Sequence, residues 1–141
     1  MGTTRSVAEI MTRDVVTVFE EDNLLEVMGK LKGRSFHHMP VVDGRRVVGM
    51  ISQRDILHAT VAGVDKSVLA RAREARFLEQ TFVRDLMRTP PVSVRPDESI
   101  QAAAKRILEH NIGALSVVDE TGSLIGIVTE NDLVRVIATE P

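Results

Sequence analysis

The chain carries one pattern twice. Val7-Ala-Glu-Ile-Met11 returns as Val83-Arg-Asp-Leu-Met87, Val16-Thr-Val18 as Val92-Ser-Val94, and Val41-Val42-Asp43 as Val117-Val118-Asp119, all at one constant spacing. After a single inserted residue near Glu120, Gly49-Met-Ile-Ser-Gln-Arg-Asp55 matches Gly126-Ile-Val-Thr-Glu-Asn-Asp132. Two copies of a pattern mean two copies of one small fold. A copy of roughly 50–55 residues is marginal alone, because it buries too little of its unfolded surface. The copies are therefore expected to pack as one globule, with function sought in pockets along their pseudo-symmetric interface. Hydrophobic residues make up 43% of the 141, enough for a shared core.

Each copy reads the same way. A short apolar stretch (Val7–Met11; Val83–Met87) precedes a short strand (Val15–Val18; Val92–Val94). The acidic groups Glu20-Glu21-Asp22 and Asp97-Glu98 stand where carboxylates favour a helix start. A helical stripe follows: Leu24, Val27, Met28 and Leu31, then Ile100, Ala103, Ala104, Ile107 and Leu108. Strands at Met39–Val42 and Val47–Ile51 flank the turn Asp43-Gly44-Arg45, and strands at Ala114–Val118 and Leu124–Val128 flank Asp119-Glu-Thr-Gly122. A last helix starts at Gln53 or Glu130. The expected class is α/β (α+β), two tandem β-α-β-β-α repeats at 7–60 and 83–138. The connector 61–82 reads as a linker helix with a solvated face, since Val61, Val64, Val68, Ala72 and Ala75 keep helical spacing. Glu74 and Glu79 interrupt its Arg71, Arg73 and Arg76, which argues against a nucleic-acid-binding helix.

Composition narrows the chemistry. Cysteine is absent, so there is neither a disulfide nor thiolate catalysis, which fits the cytoplasm. A net charge of −2 gives no pull toward nucleic acid or membrane. Trp and Tyr are absent and Phe numbers 4, so no aromatic platform stacks bases. Nowhere do about eighteen apolar residues run together, as a membrane span needs. No P-loop and no nucleophile elbow is present, and catalysis is not expected.

The most suggestive local feature is the end of each repeat, where a strand closes on a hydroxyl residue with an Asp three positions on. Ser52 with Asp55, and Thr129 with Asp132, read as capping boxes. The same residues also read as a nucleoside-phosphate acceptor. The helix start offers free N–H groups to phosphate, the carboxylate offers acceptors to ribose hydroxyls, and Met50 or Ile127 walls a base.

At these residues the chain resembles the cystathionine beta-synthase (CBS) domain, whose tandem pair is the Bateman module. The resemblance rests on the leading motifs Ile10-Met11-Thr12 and Leu86-Met87-Arg88. It rests also on Met39-Pro-Val-Val-Asp43 with Val47–Asp55, and on Leu115-Ser-Val-Val-Asp119 with Leu124–Asp132. It covers residues 7 to 138. It implies a regulatory, non-catalytic module packed about a pseudo-twofold axis. The implied ligands are adenosine-containing: AMP, ADP, ATP or S-adenosylmethionine. By the resemblance, cleft one uses Met50, Ser52, Arg54 and Asp55 with Pro91, Val92 and Ile112. Cleft two uses Ile127, Thr129, Asn131 and Asp132 with Thr12, Val16 and Phe36. Asp55 and Asp132 would take ribose hydroxyls, Ser52 and Thr129 ribose or phosphate oxygens, and the apolar residues adenine. The alternative is a module without ligand that serves structure or protein interaction.

The copies differ where charge matters. Arg54 stands where copy two has Asn131, and His37-His38 stand where it has Gly113-Ala114, so cleft one is expected to be the better phosphate site. Ser116 replaces Pro40. Adjacent strand residues such as His37 and His38 point to opposite faces, and no metal site is expected from them. The expected assembly is a homodimer, with Ile56, Leu57, Leu133 and Ile137 at its contact. The expected module is stand-alone, and its effector protein stays open.

Overall fold

A computed structural model describes residues 5–33, 37–60 and 68–139. In chain order the elements are α1 (Val7–Ile10), α2 (Leu24–Leu31), β1 (His38–Asp43), β2 (Arg46–Ser52), α3 (Gln53–Thr60) and α4 (Val68–Gln80). Then come α5 (Val83–Leu86), β3 (Ser93–Val94), α6 (Ile100–His110), β4 (Ala114–Val118), β5 (Leu124–Thr129) and α7 (Glu130–Thr139). The mixed α/β class holds. The connector helix forms as α4, while Val61 and Val64 lie outside the described residues. Among the described residues no helix is long and apolar enough to cross a membrane.

The residues divide into two compact units that exchange their leading segments. The copy-two unit draws on Met1–Val15, Gly44–Val47 and Pro91–Pro141, and the copy-one unit on Val16–Asp43 and Val48–Pro90. Each leading turn is therefore built into the unit of the other copy. In the copy-two unit Val7 N–H donates to Glu98 O (2.8 Å) and Ile100 N–H to Arg5 O (3.0 Å). In the copy-one unit Val83 N–H donates to Asp22 O and Leu24 N–H to Thr81 O, each at 2.9 Å. Burial drives the exchange. Val7 is fully buried among Val94, Ala103, Ile107, Leu115, Val117 and Val128, and Val83 among Val18, Leu24, Val27, Met39, Val41 and Ile51.

In the copy-two unit β4 is the central strand, parallel to β3 and antiparallel to β5, with Ser116 opposite both Ser93 and Ile127. In the copy-one unit β1 and β2 form a two-stranded sheet. The expected strand Val15–Val18 shrinks to one parallel bridge, Val18 to Val41. The turn glycines Gly44 and Gly122 have φ of 63° and 83°, the left-handed region that the hairpin turns require.

The acidic groups before the second helices do not cap them. Asn23 and Ser99 do, accepting from Glu26 N–H (2.9 Å) and Ala102 N–H (3.0 Å). Asp22 and Glu98 instead close the preceding turns, accepting from Phe19 N–H and Arg95 N–H. Each also faces a cation from the helix it precedes. Lys30 lies 3.7 Å from Asp22, and Arg106 makes a two-point pair with Glu98 at 2.6 and 3.0 Å. Hydrogen bonding from Arg106 holds the Glu98 carboxyl below its ordinary range despite desolvation. A carboxyl lowered in the folded state stabilises above its unfolded pKa, and that gain is lost as pH falls through the folded pKa. Arg106→Leu should therefore cost about 1 kcal/mol at neutral pH, the pair being about a third exposed. Denaturation of both proteins from pH 7 down to 3 should show the difference closing. A pH-independent difference would count against the pair.

Candidate functional sites at the strand ends

Each site is built where the last strand of a unit runs into a helix. In the copy-one unit β2 ends at Ser52 and α3 begins at Gln53. Both bonds of the capping box form: Ser52 N–H donates to Asp55 Oδ2 (3.0 Å), and Asp55 N–H donates to Ser52 Oγ (3.1 Å). In the copy-two unit Thr129 N–H donates to Asp132 Oδ2 (2.9 Å), and Asp132 N–H donates to Thr129 Oγ1 (3.2 Å). The capping engages one oxygen of each carboxylate. The other, Oδ1, has an arginine beside it at 3.6 Å: Arg88 for Asp55 and Arg135 for Asp132. Those carboxylates are largely buried, with side chains 16% and 9% exposed. A buried carboxylate with one oxygen left over is suited to accept from a diol.

The segment before each first strand meets the same helix start. Gln53 N–H donates to His37 O (2.8 Å), and Glu130 N–H to Gly113 O (3.1 Å). The His37 ring joins it, its Nδ1 lying 2.7 Å from Gln53 Oε1. His38 opens β1 and is half-buried. Arg54 is exposed on the first turn of α3, and Asn131 is exposed on that of α7. Among the described residues no three His, Asp or Glu gather as metal ligands would.

The leading segments complete the picture. Thr12 and Ile127 exchange two main-chain hydrogen bonds, both 2.9 Å. Met50 and Arg88 do the same at 3.1 and 2.8 Å. The glycine before each strand partner allows this approach. A Cβ on Gly126 would lie 2.9 Å from Thr12 O, and one on Gly49 would lie 2.9 Å from Arg88 O.

Thr12, Ile127, Thr129, Asn131 and Asp132 are thus gathered in the copy-two unit. Met50, Ser52, Arg54, Asp55, His37 and His38 are gathered in the copy-one unit. Val16 packs against the core of the copy-one unit, and Val92 and Ile112 against that of the copy-two unit, to which Pro91 also belongs. Phe36 lies outside the described residues. Ser116 is buried and its hydroxyl has no hydrogen-bond partner, for which the structure gives no reason. Arg88 is the neighbour that sequence reasoning left without a role. Its signal was present, since the repeat alignment sets it opposite Thr12.

Comparisons with known proteins agree with this architecture. The CBS domain family model matches residues 7–62 and 83–139. Inosine-5'-monophosphate dehydrogenase of Korarchaeum cryptofilum is 31% identical over 121 residues, but the chain, 86% of it aligned, spans only 22% of that protein's length. The CBS domain pair of protein MJ0100, solved with 5'-methylthioadenosine and S-adenosyl-L-methionine, shares the fold. Its TM-score is 0.82 at 21% identity, over 99% of this chain and 100% of that one. CBSX2 of Arabidopsis thaliana, solved in complex with AMP, has a TM-score of 0.78 at 28% identity, over 96% and 99% of the two chains. With the family pattern matched twice across most of its length, the chain belongs to the CBS domain family as a tandem pair.

Proposed function

We propose that this chain is a regulatory module that binds an adenosine-containing ligand at the two strand ends, without catalysing a reaction. One observation carries the reading. Each copy holds an Asp whose first oxygen caps the helix while its second is left toward a cation. That arrangement suits a ribose diol on the carboxylate and a phosphate near the helix start. The complex of CBSX2 with AMP supports it. Ser52 and Thr129 would sit by the ribose or phosphate, and Met50 and Ile127 by the base. AMP, ADP, ATP and S-adenosylmethionine are the ligands to try. A ligand that binds the native state raises its melting temperature, by an amount set by about 2.7 kcal/mol at a hundred times Kd. At least one of the four should raise it. No shift with any of them would favour the alternative, a module that works by protein contacts alone.

The same proposal includes a homodimer in the cytoplasm, an assignment supported by the lack of cysteine. Of the four residues expected at the contact, Leu57 and Ile137 are exposed at 57% and 79%. Ile56 is instead part of the copy-one core, and Leu133 packs against the copy-two core, so neither is free to make it. Leu25 and Met28 join Leu57 around a groove of about 570 Å³. Light scattering should give twice the monomer mass at micromolar concentration. A monomer throughout would remove the dimer.

A further inference from the structure

We infer that Arg88 makes the copy-one site select a phosphorylated adenosyl ligand over the uncharged nucleoside; this rests on the reading of that site as an adenosine site. Arg88 has a fixed origin. Its main chain is held by two hydrogen bonds to Met50, two residues before Ser52, and Gly49 permits the close approach. Its side chain thus leaves the backbone beside the start of α3. Its Nε lies 3.6 Å from Asp55 Oδ1, an ion pair too long to be a hydrogen bond. A hydroxyl accepted by Oδ1 could displace so loose a contact at little cost.

The Arg88 side chain is 58% exposed, and its guanidinium carries five donors. A planar fork of this kind suits the oxygens of a phosphate, which it binds by two parallel hydrogen bonds. His37 is tied to the start of α3 through both its carbonyl and its ring. One cation beside both a ribose carboxylate and a helix start can balance Asp55 and then hold the phosphate attached to that ribose.

The other copy lacks this device. Thr12, uncharged, occupies the matching place against Ile127. The cation beside Asp132 is Arg135, three residues along α7 and 71% exposed, so it approaches from the helix rather than from the paired strand. The leading segments therefore set the charge of each site, and they set it differently.

The test uses AMP and adenosine, which differ by one phosphate, titrated calorimetrically. Asp132→Asn is kept as background so that the copy-one site dominates the signal. Arg88→Met should weaken AMP by about tenfold or more, as loss of a charged hydrogen bond does, and adenosine by less than about threefold. Arg88→Lys should recover much of the AMP affinity. Added salt should narrow the gap between the two ligands in the Arg88 protein. Equal losses for AMP and adenosine would make Arg88 merely structural and overturn the inference, as would unchanged AMP affinity. If the protein with Arg88 intact takes up neither ligand, the adenosine reading itself falls and takes the inference with it.

Discussion

Asp55→Ala should weaken adenine-nucleotide binding at the copy-one site, and Asp132→Ala at the copy-two site, each by roughly ten- to a hundredfold. That is the effect of removing a charged partner worth about 1.5–3 kcal/mol. Both variants should also lose stability, because Asp55 Oδ2 and Asp132 Oδ2 hold the amides of Ser52 and Thr129. A lost cap costs about 1 kcal/mol. Asp132 should show the greater loss, being the more buried of the two. Asparagine separates the two roles. Its side-chain oxygen still accepts from the Ser52 or Thr129 N–H, while its amide puts a donor where Oδ1 stood. Asp55→Asn should thus unfold near the unchanged midpoint yet bind poorly. Titration calorimetry beside a urea curve reads both quantities. An Asn variant that binds as well as the parent would leave the box a cap and nothing more.

How much of this was legible in sequence depends on whether the signal was local. The starts of α3 and α7 and the bounds of β4 were readable, because a hydroxyl-x-x-Asp box and a short run that ends in Val117-Val118 before an Asp/Gly turn are local patterns. The acidic groups marked where α2 and α6 begin without being their caps. Charge near a helix start is a weak preference, and Asn23 and Ser99, one residue on, make the better caps. Asp22 and Glu98 were then free to pair with Lys30 and Arg106. Ile56 and Leu57 are neighbours of similar hydropathy, and only the packing of α3 sends the first inward and the second out. Val15–Val18 has strand composition but finds one bridge only, since β1 meets it at Val18 alone.

The exchange of leading segments could not be read at all from composition or spacing. Val7–Met11 and Val83–Met87 are alike, so hydropathy does not say which copy each packs on. The resemblance implied that each cleft joins residues of both copies. The structure anchors each leading turn in the other copy's core and pairs one of its residues to that copy's last strand. The place of Arg88 beside Asp55 follows from that pairing, although the repeat alignment with Thr12 already marked the position.

Gly49→Val and Gly126→Val should each loosen one of these exchanged segments. At Gly126 an added Cβ would meet Met11 Sδ at 2.7 Å and the Thr12 carbonyl oxygen at 2.9 Å. At Gly49 it would meet Met87 Sδ at 3.0 Å and the Arg88 carbonyl oxygen at 2.9 Å. A methionine side chain can turn aside, but the carbonyl is main chain bonded to the strand and can retreat only by breaking its bond to Ile127 or Met50. Overpacking of this kind costs about 1–3 kcal/mol, and the two methyls of valine push toward the upper end. Valine's preference for strands offsets only a fraction of that, since the whole propensity scale spans about 1 kcal/mol. Hydrogen exchange should localise the damage. Gly126→Val should speed exchange at Thr12 and Ile127, and Gly49→Val at Met50 and Arg88, each leaving the other pair protected. Because Arg88 is placed by the Met50 bridge, Gly49→Val should also blunt the preference for AMP over adenosine, whereas Gly126→Val should not. Unfolding midpoints and protection unchanged in both variants would mean that the leading segments do not depend on these glycines.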